Sequence, residues 1–445
     1  RMDADGNRRD PRLNPALLRE HADGLVLLTG CSKGRVPGLV VGGRVNDAEA
    51  ELRSYAEWFG IENVFVELQQ NLVYGDTPKT TRLARLARAV GVEVVATNNV
   101  HYHVPERHRL QDALVAIQHN KTLEETHRER RANANFYLRS AEEMALHFRS
   151  LPEALRNTLR IAERCTFNLE TNLGYRFPDY SDLPPGHTVQ SYLEQVCEQA
   201  AVRKYGPITP RVRERLAEEF RLIRKHDLAG FFLIYYEVIQ IARDVMIDLG
   251  HGAPESPLEE RPPGRGRGSS VAMLVGYLIG LSHIDPLQYE LSLDRFINDE
   301  MGNVPDIDID FPRDIREETI RRVHERYGWE RAALTGAIAT YKMKGCIRDL
   351  GKALGISAED TDKLAKRVDT RHAKSLRSEM TLLPDFQHKV DSPVWETLIE
   401  LASELQGFPK YLMQHPGGMI ISDRPLTDMV PLLPGGMEGR YICQW

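Results

Sequence analysis

Apolar and polar positions alternate in blocks along the first 150 residues. Short apolar runs predict strands at 23–31, 63–71 and 92–99. Apolar residues at helical spacing predict helices at 48–60 and 79–91, and each of these segments ends in glycine. Strands that alternate with helices in this way are typical of parallel βα units. This part of the chain is therefore predicted to be α/β.

Polar side chains cluster where the predicted strands of this region end. They are Cys31, Glu67 with Asn71, and Asn99 with His101 and His103. The carboxyl ends of parallel strands meet at one edge of a sheet or barrel, and ligands bind there in both kinds of fold. We therefore predict a candidate ligand site at this edge.

The remainder of the chain is mainly helical by the same criteria. Proline and glycine at 177–188 predict a linker, and 251–270 predicts a flexible Gly/Pro/Arg-rich loop before the apolar helix "VAMLVGYLIGL". The other predicted elements are helices at 151–170, 189–204, 210–227, 230–244, 316–328 and 345–355, a basic helical block at 359–376, and a strand with a loop at 414–434.

Composition narrows the class of protein. The chain has 445 residues, 42% hydrophobic and 27% charged, which is typical of a globular protein of two or three domains. Five scattered cysteines without a CxxC pair favour a reducing, cytoplasmic location, and no apolar run reaches the roughly 18 residues of a membrane span. A net charge of −6 means that nucleic-acid binding would need local basic patches. The first residue, Arg1, and the last, Trp445, lead us to expect a fragment of a longer protein.

The stretch "NVPDIDIDFPRD" (303–314) alternates aspartate with apolar residues. Side chains two positions apart in a strand share a face, so Asp306, Asp308 and Asp310 are predicted to point the same way. Three like charges repel one another unless a cation lies among them, and Mg²⁺ combines one or two carboxylates with phosphate oxygens. We predict a metal site for phosphoryl chemistry, with a solvated acidic edge strand as the open alternative.

A glycine-rich segment, "GRGRGSS" (264–270), precedes the predicted apolar helix. Small residues let backbone N–H groups approach phosphates, and Arg265 and Arg267 add positive charge. Arg295, just before the aspartates, is a further candidate partner for a triphosphate. A plain flexible loop and a surface ion pair remain the alternatives for these two features.

Local positive charge is concentrated between residues 340 and 376. "TYKMKGCIRDLGKALG" carries Lys342, Lys344 and Arg348, and "KLAKRVDTRHAK" carries Lys366 and Arg367. These residues are candidates for binding a phosphate backbone, and a salt-bridged surface is the alternative.

The motifs, in their order, resemble the bacterial C-family DNA polymerases of the polymerase III alpha-subunit type. The blocks that carry the resemblance are "GRGSS", "DRFIN", "PDIDIDF", "ERYGWERAAL", "IRDLGKALG", "QHPGGMIIS" and "MEGRYICQW". "QHPGG" and the final block favour the error-prone branch of the family. The likeness covers nearly the whole chain.

The resemblance implies a multidomain α/β and α+β fold. A partial PHP-type (βα) barrel at 1–150 would precede a nucleotidyltransferase-type palm at 151–337 and 415–445, with an inserted helical thumb at 338–414. The linker 177–188 and a surface insert at 251–264 would lie in the palm.

It also implies roles for individual residues. Asp306 and Asp308 would ligate Mg²⁺ and Asp310 would support them. The triphosphate of a dNTP would be held by the following residues: Arg267, Gly268, Ser269, Ser270 and Arg295. The basic thumb residues would hold primer–template DNA. The implied reaction is error-prone or translesion DNA synthesis by two-metal nucleotidyl transfer.

Several positions depart from the family pattern. Asn71 and Asn99 stand where the PHP domain has charged or imidazole metal ligands, which leaves a degenerate set of Cys31, Glu67, Asn99 and His101. Met301 stands where the family tends to have arginine. A further palm carboxylate, and contacts with a sliding clamp and mutasome accessory proteins, would lie beyond Trp445.

Two other functions stay open at this point. One is a metal-dependent phosphoesterase that acts through the PHP-like part. The other is a non-catalytic DNA-binding or scaffold protein descended from a polymerase.

Overall fold

The computed structural model describes residues 14–172, 178, 180–258, 260–293, 297–300, 307–369, 372–435 and 439–444, without the side chains of 169, 170, 269, 270 and 416. The fold is mixed α/β, as predicted. Up to residue 172 the elements are α1 Pro15–Glu20, β1 Leu27–Leu28, α2 Arg35–Val41, α3 Val45–Phe59, β2 Val64–Gln69, α4 Asp76–Val90, β3 Glu93–Thr97, α5 His108–His119, α6 Ala141–His147, α7 Pro152–Arg164 and α8 Leu169–Asn172.

The central part of the chain follows with α9 Val189–Tyr205, α10 Pro210–Lys225, α11 Ala229–Asp248, β4 Arg265–Arg267, α12 Leu274–Leu278, β5 Asp308–Asp310, α13 Arg316–Tyr327 and β6 Ala332–Thr340. The last part contains α14 Met343–Ala353, α15 Ala358–Arg367, α16 Leu376–Leu382, α17 Pro393–Leu405, β7 Pro409–Ile421, β8 Leu432–Pro434 and β9 Tyr441–Cys443.

The chain forms two compact units. The first joins the residues up to Leu169 to Ala339–Tyr411, and the second joins Glu170–Ile338 to the residues from Leu412 on. No helix in the described ranges is long and apolar enough to cross a membrane.

The first unit contains a three-stranded parallel sheet in the order β1-β2-β3, which confirms the predicted parallel βα pattern. Apolar side chains of α2, α3, α4 and α7 cover it. Helix α4 ends at Gly91, whose φ of 89° lies in the left-handed region that glycine adopts without strain. A second core in this unit joins α5 to α14, α15, α16 and α17.

The second unit is built around the helices α9 to α12, whose buried side chains form one cluster with Ile307. Strands β4 and β5 form an antiparallel pair beside it. A four-stranded sheet has the order β7-β6-β9-β8, in which β9 is parallel to β6 and antiparallel to β8.

Three sequence predictions differ from the structure. The segment "GRGRGSS" is not wholly a loop, because Arg265–Arg267 pairs with Asp308–Asp310. The following apolar run is helical as α12 only over Leu274–Leu278, after a 3-10 helix at Gly268–Ala272. The insert 251–264 is not a simple surface excursion, since Leu258 is buried in the core of the second unit.

Several elements were not predicted, among them helices α1, α2, α5 and α6 of the first unit. Strand β6 and helix α17 are two further examples. Strand β6 lies in "AALTGAIAT", where small residues and threonine hide the apolar alternation. Helix α17, "PVWETLIELASEL", has clear helical spacing of apolar residues that was overlooked.

Candidate functional site

The β4–β5 pair brings the glycine-rich segment beside the aspartates. In its register Arg265 lies opposite Asp310 and Arg267 opposite Asp308. The Arg267 guanidinium contacts the Asp310 carboxylate at 2.6 Å, and both side chains are exposed. The Asp308 side chain is exposed as well, and its carboxylate has no hydrogen-bond or ion-pair partner among the residues that the structure describes. Asp308 is thus an available carboxylate beside an already compensated one.

Apolar side chains hold the other face of β5. Ile307 is buried in the core of the second unit and Ile309 packs against that core. Phe311 packs on a small cluster formed by α11 and Ile315. Gly264 lies so close to this face that a Cβ there would be 2.8 Å from the Ile309 side chain. The predicted alternation therefore holds over the described residues, and it fixes the direction of the two carboxylates.

The segment after β4 has the backbone expected of an anion-binding turn. Gly268 has a φ of 73°, and a Cβ at this position would meet no atom within 4 Å. A glycine in the left-handed region followed by right-handed residues turns successive N–H groups to one side, which can make a concave site for anions. Ser269 and Ser270 follow within the 3-10 helix.

Two residues of the predicted site and one position that departs from the family pattern lie outside the described part of the chain. They are Asp306, Arg295 and Met301. Their predicted roles stay predictions.

The predicted DNA-binding residues fall into two groups. Lys342, at the N-cap of α14, and Lys344 are exposed, and neither has an ion-pair partner among the described residues. Arg348 is paired with Asp362 at 2.7 Å, and Arg367 is paired with Asp385. Lys366, on α15, is exposed. The two arginines are thus partly compensated, while the lysines offer charge to a ligand.

In the PHP-like part, protein donors already occupy the Glu67 carboxylate. It accepts hydrogen bonds from the Gly30 N–H at 3.0 Å, from the Gln69 amide at 2.8 Å and from the Thr97 hydroxyl. Its acceptor capacity is therefore largely used without a metal ion.

The other candidate ligands of this part do not form a metal-binding group with it. No group of three or more His, Cys, Asp or Glu side chains suited to a metal ion occurs in the described ranges. Cys31 is a free, partly exposed thiol, and Asn99 has a φ of 46°. Burial, together with the nearby cations Arg131 and Lys33, lowers the pKa of His101 below its usual range.

One polar pair near the glycine-rich segment was missed. Arg215 and Glu219 of α10 bond to the backbone around the start of α12. The signal was Glu219 itself, because it shares the apolar stripe of α10 with buried Leu216 and Ile223. A charged residue on such a stripe needs partners in the interior.

Comparison with known proteins identifies the family to which the chain is similar. Residues 191–445 match the family described as "Bacterial DNA polymerase III alpha NTPase domain", and residues 2–71 match the PHP domain. An error-prone DNA polymerase of Symbiobacterium thermophilum is 33% identical over 98% of this chain and 39% of the relative. One of Rhodopseudomonas palustris (strain HaA2) is 36% identical over 86% of this chain and 31% of the relative.

A third relative carries a replicative name. The DNA polymerase III subunit alpha of Borreliella burgdorferi is 31% identical over 98% of this chain and 37% of its own length. The chain spans between three and four tenths of the length of these curated relatives. Because the polymerase match alone covers more than half of the residues, the chain belongs to the family of bacterial DNA polymerase III alpha subunits.

Proposed function

We propose that this chain carries the nucleotidyl-transfer centre of a DNA-directed DNA polymerase. The observation that supports it most is the β4–β5 pair, which sets the unpaired Asp308 carboxylate opposite Arg267 and next to the turn at Gly268. A carboxylate for metal binding and N–H groups for phosphates are the two parts that phosphoryl transfer needs.

The residues present fit a divalent cation. Asp308 is exposed and unpaired among the described residues, and Asp306 belongs to the same alternating stretch. Hard cations such as Mg²⁺ bind through one or two carboxylates together with phosphate oxygens. In this site Mg²⁺ would neutralise triphosphate charge and activate the attacking hydroxyl.

The chain's own residues would hold the reactants around that cation. Gly268, Ser269 and Ser270 bind the triphosphate of the dNTP, with Arg295 as a further cation. The Arg267–Asp310 ion pair reduces the repulsion between Asp310 and Asp308. The primer 3′-hydroxyl attacks the α-phosphate in line, and pyrophosphate leaves.

The resemblance to the polymerase family also suggests a role for each domain. In this proposal the palm comprises residues 151–337 and 415–445 apart from α7, which packs on the parallel sheet of the first unit. The helices between the two ranges act as the thumb that holds primer–template DNA. The PHP-type part at 1–150 acts structurally, since Glu67 is already engaged by protein donors.

The error-prone branch is the favoured assignment within the family. Two of the relatives described above are named error-prone DNA polymerase, and the "QHPGG" block at 414–418 points the same way. We propose translesion-type synthesis, with a sliding clamp and accessory proteins as partners of the complete protein.

The decisive test replaces Asp308 by Asn in the protein expressed from its complete gene. Asparagine keeps the shape and removes the charge, so we expect primer extension to fall at least about 100-fold, since a metal ion contributes several kcal/mol of transition-state stabilisation. Primer–template affinity should stay within about twofold. The matched control is Asp314→Asn, another exposed aspartate in the same stretch, which should extend normally.

Near-normal extension by the Asp308→Asn protein would contradict the metal-ligand role. If the unaltered complete protein bound primer–template DNA but incorporated no dNTP, the scaffold alternative would replace the polymerase proposal.

A further inference from the structure

A buried carboxylate holds the backbone that follows the glycine-rich turn. Glu219 of α10 is 0% exposed. Its Oε1 accepts a hydrogen bond from the Leu274 N–H and its Oε2 accepts one from the Val275 N–H, both at 2.8 Å. These residues begin α12, whose N-cap Met273 makes no side-chain capping bond. Glu219 therefore satisfies, from a different helix, donors that a local cap would otherwise take.

Arg215, one turn earlier on α10, completes the arrangement. Its Nε donates to Glu219 at 2.7 Å, and its Nη2 donates to the Ala272 carbonyl at 2.6 Å and to the Leu291 carbonyl at 3.3 Å. Both the N–H and the carbonyl groups around the start of α12 are thus bonded to one rigid helix. Ser270 lies only two residues before Ala272.

The Arg215–Glu219 ion pair by itself is expected to add little to the free energy of unfolding. Desolvation of a buried ion pair offsets much of its Coulomb attraction, and well-packed apolar residues often stabilise a core as well or better. Burial raises the pKa of the Glu219 carboxyl above its usual range, while the two N–H donors and Arg215 favour the charged form. What the pair supplies instead is a defined position for the backbone that it touches.

Helix α10 also contacts the chain at 298–299, downstream of α12. Arg221 and Lys225 contact the Asp299 carboxylate at 2.8 and 2.6 Å, and the His226 ring contacts the Asn298 carbonyl at 2.8 Å. Helix α10 and the adjoining His226 therefore bond to the chain just after the glycine-rich turn and again at 298–299. The candidate triphosphate contact at 268–270 directly precedes the first of these two anchored stretches in the chain.

We propose that Glu219 is a positioning residue for the nucleotide. Together with Arg215 it fixes the backbone of Ala272–Val275 and so orients the N–H groups of Gly268–Ser270 toward a dNTP triphosphate. This inference rests on the proposed function of the glycine-rich turn. Because Glu219 is fully buried, it acts through the backbone on nucleotide binding rather than on the chemical step.

The test is Glu219→Gln in the protein expressed from its complete gene. The neutral amide cannot accept from the two N–H groups and Arg215 together, because one of its two terminal atoms is itself a donor. We expect the KM for dNTP to rise about tenfold, with kcat and primer–template affinity within about twofold, as for a loss of uniform binding. Glu214→Gln is the matched control on the same helix, since Glu214 is exposed and without a partner among the described residues.

A folded Glu219→Gln protein with an unchanged KM for dNTP would overturn the inference. Gly268→Ala strains the turn itself, because Gly268 has a positive φ. The KM of this variant for dNTP shows whether the positioning role alone is wrong or the proposed function of the turn as well. If Gly268→Ala raises KM and Glu219→Gln does not, the turn binds nucleotide and only the positioning role is wrong. If neither raises KM, the nucleotide-binding role of the turn is wrong as well.

A measurement on the unaltered protein decides the matter if Glu219→Gln does not fold. Amide hydrogen exchange at Leu274 and Val275 is followed with primer–template DNA, with and without a non-incorporable dNTP analogue. We expect slower exchange at both amides when the analogue is bound, because bound phosphate restrains the backbone that Glu219 holds. Equal rates in the two conditions would overturn the inference.

Discussion

Asn71 shows what one buried amide does at the edge of the parallel sheet. Its side chain donates to the Asn98 and Asn135 carbonyls, both at 2.9 Å, and its own N–H donates to the Asp76 carboxylate at 2.8 Å. It therefore joins three segments of the first unit. These hydrogen bonds hold the edge of the sheet together.

At this residue scale, Asn71→Ala should lower the free energy of unfolding by about 1–3 kcal/mol, because two carbonyls would lose their donor. Urea denaturation of the complete protein, followed by circular dichroism, measures the change. Asn46→Ala, at an exposed position of α3, is the control and should change stability by less than about 0.5 kcal/mol. Equal stability of the Asn71→Ala and unaltered proteins would show that the three segments do not depend on this amide.

At the scale of elements, helix α5 joins the PHP-like part of the first unit to helices α14 to α17. Leu110 of α5 is buried in their common core. Arg107, which precedes this helix, and Arg109 within it pair with Glu404 and Glu400 of α17 at 3.1 and 3.2 Å. Partly exposed ion pairs contribute about 0–1 kcal/mol each, whereas a buried leucine contributes several times more. Apolar packing is therefore the main cause of this association.

Leu110→Ala should destabilise the first unit by about 2–5 kcal/mol, because truncation leaves a cavity in the shared core. Thermal unfolding measures the loss of stability, and limited proteolysis measures how readily the chain of the first unit is cleaved. Leu159→Ala, at an exposed position of α7, is the matched control and should have little effect. If Arg107→Gln destabilised the protein more than Leu110→Ala, the ion pairs would be the main contribution instead.

For the whole molecule, the distribution of charge matters more than its sum. The net charge is −6, yet Lys342 and Lys344 stand exposed and unpaired among the described residues at the start of α14. Cations at a helix N-terminus interact unfavourably with the helix dipole. An external anion such as a DNA phosphate would compensate both the lysines and the dipole.

Substitution of Lys342 and Lys344 by Gln should weaken primer–template binding at low salt and reduce the slope of log K against log salt concentration by about one for each lysine. Fluorescence anisotropy with labelled primer–template DNA over a range of salt concentrations measures both quantities. Lys121→Gln is the control, because Lys121 follows α5, not α14, and is paired with Glu129. A slope that the double substitution leaves unchanged would remove these lysines from the DNA contact.

Local features of this protein follow from its sequence alone. The parallel strands at Val64–Gln69 and Glu93–Thr97, the helix that ends at Gly91 and the alternation around Asp308 were all predicted, because each depends on near neighbours in the chain. The family was identified from the same local motifs and confirmed by comparison.

Tertiary structure decided the partners of these features. The sequence did not indicate that Arg267 would pair with Asp310, that Glu219 would bond to Leu274, or that α17 would pack on α5. Each of these contacts joins residues far apart in the chain, and several acceptors compete for every cation. Two separate cores decide which residues meet: α10, α11 and α12 pack in the core of the second unit, and α5 and α17 pack in a core of the first unit.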